Sequence, residues 1–224
     1  MSYTPKLIFL CYNGFENEIG GRIMSTDGKA RIIDAAMEVI SRNGIPGASM
    51  RNIAEEAGVT TGAIYHHYKN KEDVLFDVMD ERLSVSSKIA DKSRLNECTR
   101  EEIIDEIYKN ILNRFKKEAE NRLQFYFAHE AMIGNNELKE KFNNKYAQWI
   151  NKTEELIKYL YSDKSSKYNK ALASLLIGAI DGVVMQYLLN ANQVDIEEIS
   201  KVYLLLLKEG IPNFIDKLEH IDDL

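Results

Sequence analysis

The chain has 224 residues, of which 45% are hydrophobic and 29% charged, so disorder is not the default reading and a soluble globular protein is. Its net charge of -6 is unevenly placed: residues 25–71 carry six Lys/Arg against five Asp/Glu, while residues 72–224 carry -7. An acidic total does not exclude nucleic acid, because counterion release depends on local phosphate contacts.

In chain order, residues 1–24 stand apart, with no net charge, the pair Gly20-Gly21 and no helical periodicity. Two readings fit them, a leader foreign to the fold with Met24 as the natural start, or a disordered arm. The apolar run Leu7 to Tyr12 is short for a signal peptide and lacks a small-residue cleavage site. Cys11 and Cys98 are too few for a metal-ligand pattern or a disulfide framework and point to a reducing cytoplasm. No segment reaches the roughly 20 consecutive apolar residues of a bilayer span, so no membrane partner is expected.

From Thr26 onward apolar residues recur at helical spacing, and the only prolines are Pro5, Pro46 and Pro212, which predicts an all-α protein. A first helix is expected from a cap at Thr26 or Asp27 to Asn43, with Ile32, Ile33, Ala36, Val39 and Ile40 as its stripe. A second, short helix is expected from Ser49 to Gly58, and a third from Thr60 with Ile64 inward. The fourth is expected from about Asn70 to Lys92, with Glu72 and Asp73 favouring its positive end. Thr99 with Glu102 has capping-box spacing and opens a helix to about Glu118. Further helices are expected at 121–133, 136–161, 166–191 and 195–208.

The segment from Ser49 to Tyr68 is the one that carries function. Ala54 is small where two helices must cross closely, Gly58 permits the positive φ of a tight turn, and Val59 with Ile64 fills the angle between them. Such a helix-turn-helix presents its second helix outward, with Thr60, Thr61, Gly62, Tyr65 and His66 toward a DNA major groove. Arg51, Tyr68, Lys69 and Lys71 would flank the groove and reach phosphates, setting register.

The run Ile53-Ala54-Glu55-Glu56-Ala57-Gly58-Val59, followed by Gly62-Ala63-Ile64-Tyr65 and by His67-Tyr68-Lys69-Asn70-Lys71-Glu72-Asp73-Val74-Leu75, resembles the tetracycline-repressor (TetR/AcrR) family. The likeness covers about Gly28 to Leu75; beyond it only length and helicity agree. It implies a helix-turn-helix DNA-binding domain over 25–71 and a helical ligand-binding and dimerisation domain over 72–224. It implies double-stranded operator DNA and a small-molecule effector as partners, with no cofactor. An effector pocket among the middle helices is expected to draw on Phe115, Phe125, Tyr126, Phe127, His129, Met132, Trp149 and Tyr187.

Leu172, Leu175, Leu176, Ala179, Ile180, Val183, Val184, Tyr187 and Leu188 cover an arc wider than one surface stripe. With Ile199, Val202, Tyr203, Leu206 and Leu207 they are expected to form a homodimer through the last two long helices, an arrangement the resemblance also implies. Enzymatic motifs are missing: the sequence has no Gly-rich phosphate loop, no GxSxG and no HExxH. The reading is a ligand-responsive, cytoplasmic regulator, a repressor that binds a palindromic operator as a dimer and is released by a small molecule. The alternative is a helical carrier or enzyme that has lost DNA binding.

Overall fold

The computed structural model describes residues 28–84, 89, 98–162 and 166–218, and these are helical throughout with no strand among them. The expected caps at Thr26 and Asp27, the leader before Met24 and most of 85–92 lie outside the described residues. The helices are α1 (Gly28–Gly47), α2 (Met50–Ala57), α3 (Thr61–His67), α4 (Lys71–Leu83), α5 (Arg100–Lys116), α6 (Glu118–Met132), α7 (Asn136–Leu160), α8 (Asn169–Leu188) and α9 (Ile196–Leu205). A π-helical turn over Leu206–Gly210 joins α9 to α10 (Ile211–Leu218).

Local chemistry sets these boundaries. Gly44, at φ 69°, kinks α1 ahead of Pro46, where a side chain on the backbone would be strained. The Ser49 side chain accepts from the Asn52 amide to start α2, and Gly58 ends it in the left-handed conformation at φ 65°. Thr60 and Asn70 cap α3 and α4 in the same manner. The capping box between Thr99 and Glu102 is complete at the start of α5.

Two extents differ from expectation. The fourth helix stops at Leu83, where Ser84 leaves helical geometry at ψ 48°. The last helix does not end at residue 208: Pro212 offers no N–H and its ring crowds the carbonyl four residues back, so the ladder widens for one turn and then resumes. There the N–H of Ile211 bonds the Leu206 carbonyl, and the chain continues to Leu218.

The core does not part at residue 71. Ile32, Val39, Ile53 and Ile64 share one cluster with Val74, Leu75 and Val78 of α4, and with Leu123 and Phe127 of α6 and Phe142 of α7. A second cluster joins Ile103 of α5, Leu156 and Leu160 of α7, Leu172 of α8 and Ile211 of α10. Ion pairs fasten α4 on both sides, Lys29 to Asp77 at 2.8 Å from α1, and Lys141 to Asp73 at 2.5 Å and Lys145 to Asp80 at 2.6 Å from α7. The helix that follows the helix-turn-helix is thus held by both α1 and the long α7.

Contrary to the sequence reading, α8 is long and apolar enough to cross a membrane by length and composition, with a mean hydropathy of 1.7. Leu172, Ala173 and Val184 nevertheless pack inside the protein and Asp181 is ion-paired with Arg114, while most of the helix is half-buried or exposed and leaves a surplus apolar face.

Candidate DNA interface and effector cavity

The helix-turn-helix is assembled by its small and apolar residues. Ala54, at 2% exposure, and Ile64, at 0%, sit at the crossing of α2 and α3, and the Val59 amide bonds the Ala54 carbonyl at 3.0 Å. Arg31 of α1 donates to the Ala57 carbonyl at 2.6 Å, which closes the end of α2 against α1. The outcome is a short α3 that buries one side chain and presents the rest.

On its outer face stand Gly62, Tyr65 and His66, with Tyr65 56% exposed and Thr61 half-buried. A methyl group added at Gly62 would meet only the Thr60 hydroxyl among the described residues, at 3.8 Å, so none of them demands a glycine in this helix. Thr60 is exposed, but its oxygen accepts from the Ala63 amide at 3.1 Å, making it first of all a cap. Lys69 is exposed, and Arg51 is exposed while paired with Glu55 at 2.9 Å.

One of the expected phosphate contacts, Tyr68, needs correction. Tyr68 is only 5% exposed and belongs to the core, its ring lying 5.8 Å beneath the Lys29 ammonium. It ends α3 as an apolar plug and does not face outward. Lys71 is half-buried, with its ammonium 3.5 Å from the Ile45 carbonyl beyond the α1 kink.

The observed cavity differs from the expected effector pocket. A cavity of about 170 Å³ lies among α5, α7, α8 and α9, and of the eight expected residues Trp149 alone lines it. Phe127 is fully buried in the first cluster against Phe76, and Phe115 packs on Tyr187. Phe125 is half-buried outside the cavity, and the Tyr187 hydroxyl donates to the Val194 carbonyl. Tyr126, His129 and Met132 are exposed on α6, Met132 at 78%. The physical reason is that the face of α6 turned to the protein packs on α4 and α7, leaving these three side chains on the other side.

The walls are Ile107, Ile111, Leu156, Leu160, Leu176 and Ile180, with Trp149 at the end nearest α4. The polar edge is formed by Arg114 and Asp181, 3.5 Å apart. Behind them Asp181 accepts from the Tyr146 hydroxyl at 2.7 Å and from the Gln124 amide at 3.2 Å, and Arg114 donates to the Gln124 carbonyl oxygen. Burial works against the charged Arg114 guanidinium and lowers its pKa, with Asp181 opposing the shift. Burial and the Asp181 charge together raise the Tyr146 phenol, so it remains a donor. One feature of the sequence marks this site: Asp181 is the only charged residue between Lys170 and Asp195, and a carboxylate in so apolar a helix requires a buried partner.

Comparison with known proteins agrees with this architecture. Residues 32–78 match the family described as bacterial regulatory proteins, tetR family. The chain is 30% identical to the HTH-type transcriptional regulator BetI of Vibrio campbellii (strain ATCC BAA-1116), covering 76% of this chain and 85% of that one. It is 28% identical to the fatty acid metabolism regulator protein of Bacillus subtilis (strain 168), covering 82% and 95%. The structure of the fatty acid degradation regulator FadR from Bacillus halodurans superposes with a TM-score of 0.57 at 28% identity, covering 81% and 98%. The chain belongs to the TetR/AcrR family. It is a ligand-responsive DNA-binding transcriptional regulator.

Proposed function

We propose that this regulator is a dimeric repressor that reads a palindromic operator with α3 and is released when a small molecule enters the Arg114–Asp181 cavity. The observation that carries the reading is the path from cavity to head. Trp149 lines the cavity and its indole N–H donates to Ser84, the residue that ends α4, while α4 shares a core with the helix-turn-helix. A ligand that displaces α7 therefore acts on α4 and, through it, on the spacing of the two recognition helices. In a dimer that spacing must match one DNA turn, about 34–36 Å.

Gly62, Tyr65 and His66 are assigned to the groove, with Thr61 at its edge and Lys69 and Arg51 on flanking phosphates. The absence of any need for Gly62 among the described residues supports close approach of DNA there, because glycine is a poorer helix former than alanine. The head corresponds to residues 25–71 and the ligand and dimerisation unit to 72–224.

The partner on the apolar face is assigned as a second copy of this chain. Leu175 on α8 and Val202 and Leu205 on α9 are 67%, 68% and 63% exposed, and no atom of the described residues lies within 4 Å of a side chain built at Gly178 or Gly182. Small residues flanked by large exposed apolar ones suit close helix packing across a two-fold axis. The names of two relatives support genes of fatty acid metabolism as the regulated set.

The decisive experiment is selection of bound sites from random duplex DNA by the purified full-length protein, with salt-dependent affinity of the winner measured against a shuffled duplex. A palindrome with a marked preference is expected. Equal weak binding to both duplexes would refute the reading and favour a carrier.

A further inference from the structure

We infer that the cavity receives an uncharged amphiphile, an aliphatic chain ending in a carbonyl-type acceptor, with its oxygen on Nη1 of Arg114. This rests on the effector-cavity reading above and adds the chemical class of the ligand. The chain end follows from the walls, where Ile107, Leu156, Leu160, Leu176 and Ile180 leave apolar surface as the main lining.

The head group follows from an accounting of the lining's charges and of its donors other than the half-buried Thr153 hydroxyl. The Asn110 amide donates to the Glu106 carbonyl at 2.7 Å, the Tyr161 hydroxyl to the Leu207 carbonyl, and the Tyr203 hydroxyl to the Leu176 carbonyl at 3.4 Å. The Trp149 indole donates to Ser84 at 3.1 Å. Nη2 of Arg114 donates to Gln124 and faces Asp181. Nη1 of Arg114 is buried and has no hydrogen-bond partner among the described residues, on a side chain that lines the cavity. A buried N–H without an acceptor is costly, and a ligand oxygen met by a turn of the guanidinium toward the cavity removes that cost.

Charge selects the kind of oxygen. Among the described residues the lining contains one cation and one anion, Arg114 and Asp181, already paired at 3.5 Å. A carboxylate would enter an apolar space whose one cation among those residues is already matched, and an ammonium would meet an Asp181 whose oxygens already accept from Tyr146 and Gln124. Both would leave an uncompensated buried charge. An ester or ketone oxygen accepts from Nη1 and leaves the pair intact.

The test uses Trp149, the single tryptophan of the chain, as reporter, and methyl octanoate, octanoate and octylamine as probes on the full-length protein. Methyl octanoate is expected to shift the emission saturably and to bind at least about tenfold more tightly than either charged probe. Arg114→Lys, which keeps a cation beside Asp181 but removes the second guanidinium nitrogen, is expected to abolish that preference. Asp181→Asn, which makes the site cationic, is expected to turn the preference toward octanoate.

Tighter binding of octanoate by the unaltered protein, an ester affinity unchanged in Arg114→Lys, an unchanged preference in folded Asp181→Asn, or no binding of any probe would overturn the ligand class. Operator affinity measured in the same titrations separates the two readings. Ester binding at Trp149 with no effect on DNA refutes the effector role and upholds the ligand class. Release by octanoate independent of Arg114 does the reverse.

Discussion

Trp149 on α7 and Ser84 at the end of α4 are joined by a 3.1 Å hydrogen bond from the indole N–H to the hydroxyl, which in turn donates to Asp80 at 2.7 Å. One ring thereby forms a wall of the cavity and a support for the helix that carries the DNA-binding head. Ser84→Ala removes the acceptor of a buried indole and is expected to cost about 1 kcal/mol of stability in urea unfolding. It is also expected to weaken the response of operator binding to ligand while ligand affinity is retained. Unchanged coupling in a folded variant would sever the proposed path.

Tyr65→Ala and Lys69→Ala are expected to differ in kind. Losing the exposed Tyr65 ring should erode discrimination between operator and shuffled duplex by about tenfold. Losing Lys69 should weaken both duplexes alike and reduce the salt slope by about one. Titrations at several salt concentrations distinguish these outcomes, and uniform scaling by both variants contradicts the assigned roles.

Gly62→Ala is expected to raise the urea midpoint slightly, because alanine is the better helix former and the position has room. Operator affinity should fall in the same protein. A variant that is both more stable and equally tight on DNA would show that the backbone does not approach the duplex closely there.

Burial pushes the phenols of Tyr161 and Tyr203 up to about 12, with Asp181 adding to the shift at Tyr203. Their ordinary value in the unfolded chain is about 10. Between about pH 10 and 12 the folded state therefore retains more protons than the unfolded one, so stability falls as pH rises through this window. Ultraviolet titration of tyrosinate is expected to show late ionisation coinciding with unfolding. Full titration near pH 10 in a folded protein would contradict the burial of both rings.

Leu175→Glu places a charge on the exposed apolar face of α8 and is expected to yield a folded monomer in sedimentation velocity, with operator affinity greatly reduced. A dimer that survives this change would move the interface elsewhere.

The head was largely legible because its chemistry is local. Ser49, Gly58, Thr60 and Asn70 each act on amides or turns within a few residues, so spacing alone locates α2, α3 and α4. The cavity was not, since it depends on which face of each helix meets another. Phe115, Phe127 and Trp149 have the same aromatic character in the sequence, yet the first two fill clusters and only the third borders a void. Tyr68 shows the same limit at the head: the ring that ends α3 faces inward because the chain turns extended there, at φ -135° and ψ 136°. Arg114 went unnoticed among the charges of an ordinary amphipathic helix, although Asp181 in its apolar setting was a pointer to such a partner.

The two faces of α8 have a thermodynamic consequence. Ile177, Ile180 and Asp181 line the cavity, while Leu175, Gly178 and Gly182, within a turn of them, belong to the face assigned to the second protomer. Only the width of one helix then separates an occupied cavity from the two-fold axis. In the proposed dimer, ligand binding in one subunit is expected to be felt at the other through that shared wall, giving cooperative occupancy of the two cavities and a Hill coefficient different from one. By the same linkage, conditions that loosen the pairing of subunits alter the apparent affinity for ligand, so effector sensitivity becomes a function of protein concentration.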